Sequence, residues 1–255
     1  LEIMFMIKRF QDKLTTRYMG REMKYYQMTE STNQDAWHLY EEEYIKGSVV
    51  LTDRQYKGRG RHGSHWFSTK DTSLTFSIIY EVTLPMEKLG LLALLSAVAV
   101  ATGIRVSTGF GPAVKWPNDI IVNHRKLCGI LVETRRAKDK TIVVTGIGLN
   151  VNERKIDFEG DLKETATSIN IETGNKTIRE YLLAQILYHF EYYLENMRQV
   201  IPQWRFLCAH KNQKIFFHQG KNIIEGIFLD LDEYGHALIE TNGKVETYSG
   251  NSIIL

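Results

Sequence analysis

Cysteine is scarce: Cys128 and Cys208 are the only two in 255 residues. Two thiols make no disulfide framework and suit a reducing compartment, so the composition predicts a cytoplasmic protein. The eight histidines show no metal-ligand spacing and no Cys or Asp cluster joins them, which argues against a zinc centre. No apolar run reaches the roughly 20 residues of a membrane span. The longest, Leu91 to Ala101, is interrupted by Ser96 and reads as a buried helix. The first ten residues are apolar and then basic, the reverse of a secretory leader. Neither sign of charge dominates. Lys and Arg total 32 against 30 Asp and Glu, and a net charge of +2 gives no global electrostatic case for nucleic acid or membrane binding. A Walker A loop is missing too, since no Gly-x-x-x-x-Gly-Lys-Ser/Thr occurs.

What the chain does have is a glycine-rich cationic loop, Gly58-Arg59-Gly60-Arg61-His62-Gly63. From Arg54 to Lys70 there are five Lys or Arg and no Asp or Glu. Glycines let successive backbone N–H groups point at one anion, and Arg59 and Arg61 add planar donors suited to phosphate or carboxylate. The loop from Arg54 to Asp71 is long for a compact domain, and such loops are usually functional or disordered. Taken alone, this segment is also compatible with a solvated loop or an RNA-binding run of Arg-Gly type. Lys115-Trp116-Pro117-Asn118-Asp119 brings a cation, an aromatic ring, an amide and a carboxylate into five residues. By itself it reads first as an Asn-Asp turn with Trp116 in the core, although such a pair also suits a hydrated Mg²⁺ beside phosphates. Lys126 precedes the apolar strand Leu127-Cys128-Gly129-Ile130-Leu131-Val132, as a snorkelling surface residue or as a site cation. Cys128 reads as a small buried residue rather than a nucleophile.

Periodicity and turn signals predict the elements between these segments. Ser31 and Gln34 have capping-box spacing at the start of a helix carrying Ala36, Trp37, Leu39 and Tyr40. Strands are predicted at Ser48–Thr52, Ser73–Glu81, Ala113–Trp116, Ile120–Val122, Leu127–Thr134 and Thr141–Leu149. A helix is expected from Pro85 to about Thr102, and an amphipathic one from Ile178 to about Val200. Gly146 and Gly148 mark a close approach to the backbone of the last strand. From Lys211 onward only short strands and turns follow, the pattern of a small, bent barrel. The expected domains are 1–208 and 209–255.

Six segments, taken in order, resemble the biotin–protein ligases. They are Ser31-Thr32-Asn33-Gln34; Gln55 to Gly63 with Trp66-Phe67-Ser68; Lys115 to Asp119; Lys126 to Glu133; Gly146-Ile147-Gly148-Leu149-Asn150-Val151-Asn152; and Ala166-Thr167-Ser168. The resemblance implies an α+β fold. A class II synthetase-like catalytic domain, with a mixed sheet and helices mainly on one face, would be followed by an SH3-like C-terminal barrel. It also implies two reaction steps. Biotin and MgATP give biotinyl-5′-adenylate, and biotin then passes to a lysine of the carrier domain of acetyl-CoA carboxylase or a related carboxylase.

Carried over, the resemblance makes Lys126 and Arg61 catalytic. It makes Ser31, Thr32, Asn33, Gln55, Gly58, Arg59, Gly60, Arg61, Trp66, Lys126 and Gly129 biotin-binding. Arg59, Arg61, Lys115, Asn118, Asp119 and Asn150 would serve ATP or the adenylate, with Asp119 on Mg²⁺. Some family members carry an N-terminal helix-turn-helix that represses genes. Only about 30 residues precede Ser31, so the expectation is a monofunctional ligase with no DNA partner. Related ligases often pair through a sheet edge, which makes a homodimer an option. His62 stands where another arginine is common, and Asn251 where the family often ends Ser-Gly-Glu. The arginine and triple-glycine segment of lipoate–protein ligases is absent.

Overall fold

The structure is a computed structural model that describes residues 4–69, 71–219, 222–250 and 253–255. Its larger sheet has seven strands: β1 (Met23–Thr29), β2 (Val49–Gln55), β3 (Leu74–Val82), β4 (Ala113–Lys115), β5 (Asp119–Val122), β6 (Arg125–Ala137) and β7 (Lys140–Leu149). Their spatial order is β1-β2-β3-β7-β6-β5-β4. Only β1 and β2 run parallel; every other pair is antiparallel. Asn123 and His124 both take positive φ, 47° and 63°, and make the tight turn that joins β5 to β6. The strand therefore resumes at Arg125, earlier than the apolar run suggests.

Alternation along β3 decides which face of the sheet does what. Leu74, Phe76, Ile78 and Tyr80 enter the main core, beneath a layer of helices. That layer comprises α1 (Ile7–Lys13), α3 (Leu91–Thr108), α6 (Arg179–Glu195) and α7 (Val200–Leu207). Thr75, Ser77 and Ile79 point the other way, where α2 (Thr32–Glu42) covers part of the sheet. There Ala36 and Trp37 pack on Val50, Ile79, Ile142 and Val144. The rest of that face is open for a ligand. Two short helices, α4 (Leu162–Thr165) and α5 (Ile169–Thr173), lie beyond β7.

α3 is largely apolar because most of it is enclosed: Leu92, Leu95, Val98, Ala99 and Ile104 are fully buried, and its last turns reach solvent at Arg105 and Val106. It starts later and ends later than expected. Pro85 leads into a single 3-10 turn, Met86–Lys88, and the helix runs on to Gly109, whose φ of 72° ends it. Gly103 does not stop it, because a Cβ there would lie 2.8 Å from Ile186 Cγ1; the glycine is what lets α3 and α6 approach. The long C-terminal helix divides into α6, a 3-10 turn at Met197–Gln199, and α7. The expected capping box is not formed, as Ser31 makes no side-chain cap bond.

The remaining strands are β8 (Gln213–Gln219), β9 (Asn222–Leu231), β10 (Ala237–Thr241), β11 (Lys244–Tyr248) and β12 (Ile253–Ile254), an antiparallel sheet ordered β11-β10-β9-β8-β12. Ile215, Phe217, Phe228, Ile239 and Tyr248 form its interior. Asn242 and Gly243, with φ of 51° and 74°, close the β10–β11 hairpin that the sequence predicts.

A buried polar network ties the two ends of the long loop to the sheet. Arg179 Nη1 donates to the Ser73 carbonyl at 3.0 Å and lies 3.6 Å from Asp53 Oδ1. Tyr25 donates to Asp53, and Ser73 Oγ donates to Glu153. Burial pushes the Glu153 carboxyl from an ordinary 4.5 to about 7. Between those values the folded protein holds a proton that the unfolded chain has released. This contribution to stability therefore falls as pH rises through the window. Thermal melts from pH 5 to pH 8 should show Glu153→Gln losing less stability than wild type; parallel curves would refute this.

Candidate functional site

A cavity of about 480 Å³ opens on the face that α2 only partly covers. Its floor is set by strand register. Thr52, Thr75, Gly148, Gly129 and Asp119 are successive partners across β2, β3, β7, β6 and β5. The two glycines leave a trough in mid-row, and the Trp66 indole lies in it. A Cβ on Gly148 would fall 2.1 Å from Trp66 Cε2, and one on Gly129 would fall 3.1 Å from both Trp66 Cζ3 and Lys126 Cε. Gly146 does the same for Asn33, whose Oδ1 would be 2.2 Å from an added Cβ. The close approach that these glycines permit is thus first made by the protein's own side chains.

One end of the cavity is cationic. Lys126 Nζ is 2.7 Å from Asp119 Oδ1 and 5.9 Å from the Trp66 ring centre. Arg59 reaches from the loop toward the opposite end, where its Nη2 is 3.4 Å from Glu133 Oε1. Arg61 Nη1 donates to Asn118 Oδ1 at 3.1 Å, and its Nη2 donates to the Gly250 carbonyl. Asn118 in turn donates to the Ile130 carbonyl at 2.6 Å, so both ends of its amide are engaged. Burial lowers the Arg61 guanidinium below its ordinary range, with Asp119 opposing. The Lys115 ammonium is also lowered by burial.

The other end is polar, with Glu133 as its carboxylate. Gln55 Oε1 accepts the Thr32 N–H at 2.8 Å. The Ser77 hydroxyl sits 2.8 Å from Thr32 Oγ1 and 2.7 Å from Asn33 Oδ1. Asn33 Nδ2 and Trp37 Nε1 both donate to Glu133 Oε2, at 3.0 and 3.1 Å. Because Ser31 is not used as a cap, its side chain is left to line the cavity.

The structure therefore brings Ser31, Thr32, Asn33, Gln55, Arg59, Gly60, Arg61, Trp66, Asn118, Asp119, Lys126 and Gly129 together in one lining. Three predicted residues are elsewhere. Gly58 borders a neighbouring groove, and a Cβ on it would strike the Trp66 carbonyl at 2.3 Å, so its service is to the loop's path. Asn150 is buried and donates to the Thr167 carbonyl at 2.9 Å, which fastens the segment after β7. Lys115 does not line the cavity either; it stands behind Asp119 and Lys126. Among the residues not anticipated, Thr75 lines the floor and Glu133 organises Arg59 and Asn33. Alternation along β3 was the signal available for Thr75. The side chain of His62 and the whole of Asn251 lie outside the described residues.

A sequence model of the Biotin/lipoate A/B protein ligase family matches residues 25–150. The bifunctional ligase/repressor BirA of Bacillus subtilis is 34% identical over 245 residues, covering 93% of this chain and 75% of that protein. The biotin–[acetyl-CoA-carboxylase] ligase of Mycobacterium tuberculosis is 27% identical, covering 82% and 79%. Among solved structures, the biotin protein ligase of Aquifex aeolicus in complex with biotin and ATP superposes with a TM-score of 0.79 and 28% identity, over 92% of this chain and 99% of that one. With the site residues gathered in one cavity and this extent of likeness, the chain belongs to the biotin–protein ligases.

Proposed function

We propose that this chain activates biotin with ATP and transfers it to a lysine of the biotin carboxyl carrier domain of a biotin-dependent carboxylase. One observation carries the reading: a single cavity is lined both by the uncharged cluster at Ser31, Thr32 and Gln55 and by the cations Lys126 and Arg61. That polarity matches biotin, with its ureido ring at one end and its carboxylate at the other.

In the first step the carboxylate oxygen attacks the α-phosphorus, the bond to pyrophosphate breaks, and a mixed anhydride remains. Two anions must meet, so fixed cations that act where charge develops supply much of the rate. Lys126, held by Asp119, is the cation for the α-phosphate and the carboxylate. Arg61, anchored on Asn118 and the Gly250 carbonyl, closes the loop over the adenylate and keeps water out. In this reading residues 1–208 carry the chemistry and residues 209–255 brace the loop.

Mg²⁺ fits the donor set only as an ion carried by the nucleotide. Asp119 is the carboxylate beside Lys126, and no group of three metal-binding side chains exists among the described residues. Magnesium is commonly held by one or two carboxylates plus substrate phosphates. Asp119 would contribute such a carboxylate, and the ion would neutralise phosphate charge. In the second step the carrier lysine amine attacks the anhydride carbonyl, forming the amide and releasing AMP.

The test is to incubate the protein with biotin, MgATP and an apo carrier domain, and to read the intact mass of the carrier. An ATP-dependent gain of one biotin is expected. No gain, together with no pyrophosphate, would sink the reading.

A further inference from the structure

Asp119 Oδ1 has Lys126 as its partner, but among the described residues two buried polar atoms of the site have neither a hydrogen-bond nor an ion-pair partner: Thr75 Oγ1 and Trp66 Nε1. They are neighbours. Thr75 pairs with Gly148 across β3 and β7, and the pyrrole edge of Trp66 rests where a Gly148 side chain would be. Thr75 is only 3% exposed, yet it lines the cavity. The hydroxyls beside it are engaged. Thr52 donates to the Arg54 carbonyl at 2.9 Å, and Ser77 sits against Thr32 and Asn33. A hydroxyl enclosed without a partner is unfavourable, and native structures keep such groups where something else completes the bond.

We infer that Thr75 is a specificity-determining residue of this site, its hydroxyl bonding an acceptor on the bicyclic ring of biotin, with the Trp66 indole N–H as a second donor on the same wall. This rests on the ligase reading above and adds a contact to it. The cross-strand row decides which part of the ligand Thr75 meets. Asp119, with Lys126 upon it, marks the carboxylate end of the row. Thr75 is three strands away, about 14 Å at roughly 4.8 Å per strand. It lies two residues from Ser77, which borders the Thr32 and Asn33 cluster. A ligand with its carboxylate at Lys126 therefore brings its ring, and not its tail, to Thr75. A site hydroxyl that bonds the substrate also selects against analogues that lack the acceptor, because the hydroxyl is then left unpaired.

Thr75→Val keeps the shape and the strand preference and removes only the hydroxyl; Thr75→Ser keeps the hydroxyl. Biotin binding is measured by calorimetry without ATP, and steady-state constants are measured for biotin and for ATP. The Val variant should bind biotin about tenfold more weakly, the size expected for one lost hydrogen bond with a buried partner. Its biotin KM should rise with the Kd, its kcat at saturating biotin should stay within about twofold, and its ATP KM should not move. The Ser variant should recover most of the loss, and Trp66→Phe should weaken biotin in the same direction. An unchanged biotin Kd in a folded Val variant overturns the inference, as does an effect confined to ATP. Wild-type protein that binds no biotin overturns the ligase reading, and this inference with it.

Discussion

Replacing Lys126 by alanine is expected to slow biotin adenylation by about 10²–10³-fold, the usual consequence of removing one preorganised donor to developing charge. Lys126 is the ammonium of the cavity nearest both the trough and Asp119, at 2.7 Å from the carboxylate. Its removal takes away the positive charge and leaves Asp119 without its ion-pair partner beside incoming phosphates, so two effects act in the same direction. Biotin affinity should change far less, because the ring contacts lie at the opposite end of the cavity. Lys126→Arg should not restore the rate, since a planar fork does not occupy the position of a compact ammonium. Single-turnover pyrophosphate release is the measurement. A Lys126→Ala enzyme with the wild-type adenylation rate would remove the central cation from the mechanism.

Replacing Arg61 by glycine is expected to raise the release rate of biotinyl-5′-adenylate by roughly 10- to 100-fold. The range follows from losing one or two hydrogen bonds with a charged donor, each worth about 1.5–3 kcal/mol before solvent screening. Arg61 joins the loop to Asn118 on one side and to the Gly250 carbonyl on the other. Without it the loop loses both contacts made by Arg61 and keeps the one between Arg59 and Glu133, while Lys126 and the biotin-facing cluster are untouched. Adenylation should therefore persist, and the reactive product should escape and modify bystander lysines. Chasing preformed labelled adenylate with unlabelled biotin gives the release rate directly. Equal rates in the two proteins would mean that the loop is closed by something other than Arg61.

The candidate site was legible through the resemblance that six ordered segments carry together, not through the chemistry of any one motif. Arg59 and Arg61 of the loop, Ser31 to Asn33, Gln55, Asn118, Asp119 and Lys126 all reach the same cavity. Legibility failed where a residue's role depends on its partner. Asn150 belongs to a motif segment as surely as Asn118 does, yet its amide is taken by the Thr167 carbonyl. Gly58 looks like its loop companions but is held against the Trp66 carbonyl. α1 and β1 carry weak signals. β1 is an edge strand of the sheet, with Tyr26 and Met28 exposed, so its apolar alternation is diluted. α3 continues past the expected end near Thr102 to Thr108, through Gly103, which is a contact with Ile186.

The sequence by itself determined the class of chemistry, the alternation that separates a core face from a site face, and the turns that order the strands. These are local properties, set by side-chain type and by periods of 2 and 3.6 residues. Tertiary structure decided the rest. It set the register that aligns Gly148 with Gly129 and turns two separate glycines into one trough. It also let the carbonyl of Gly250 hold Arg61 from 189 residues away. Such matches depend on where distant segments land, and no local rule of the chain encodes that.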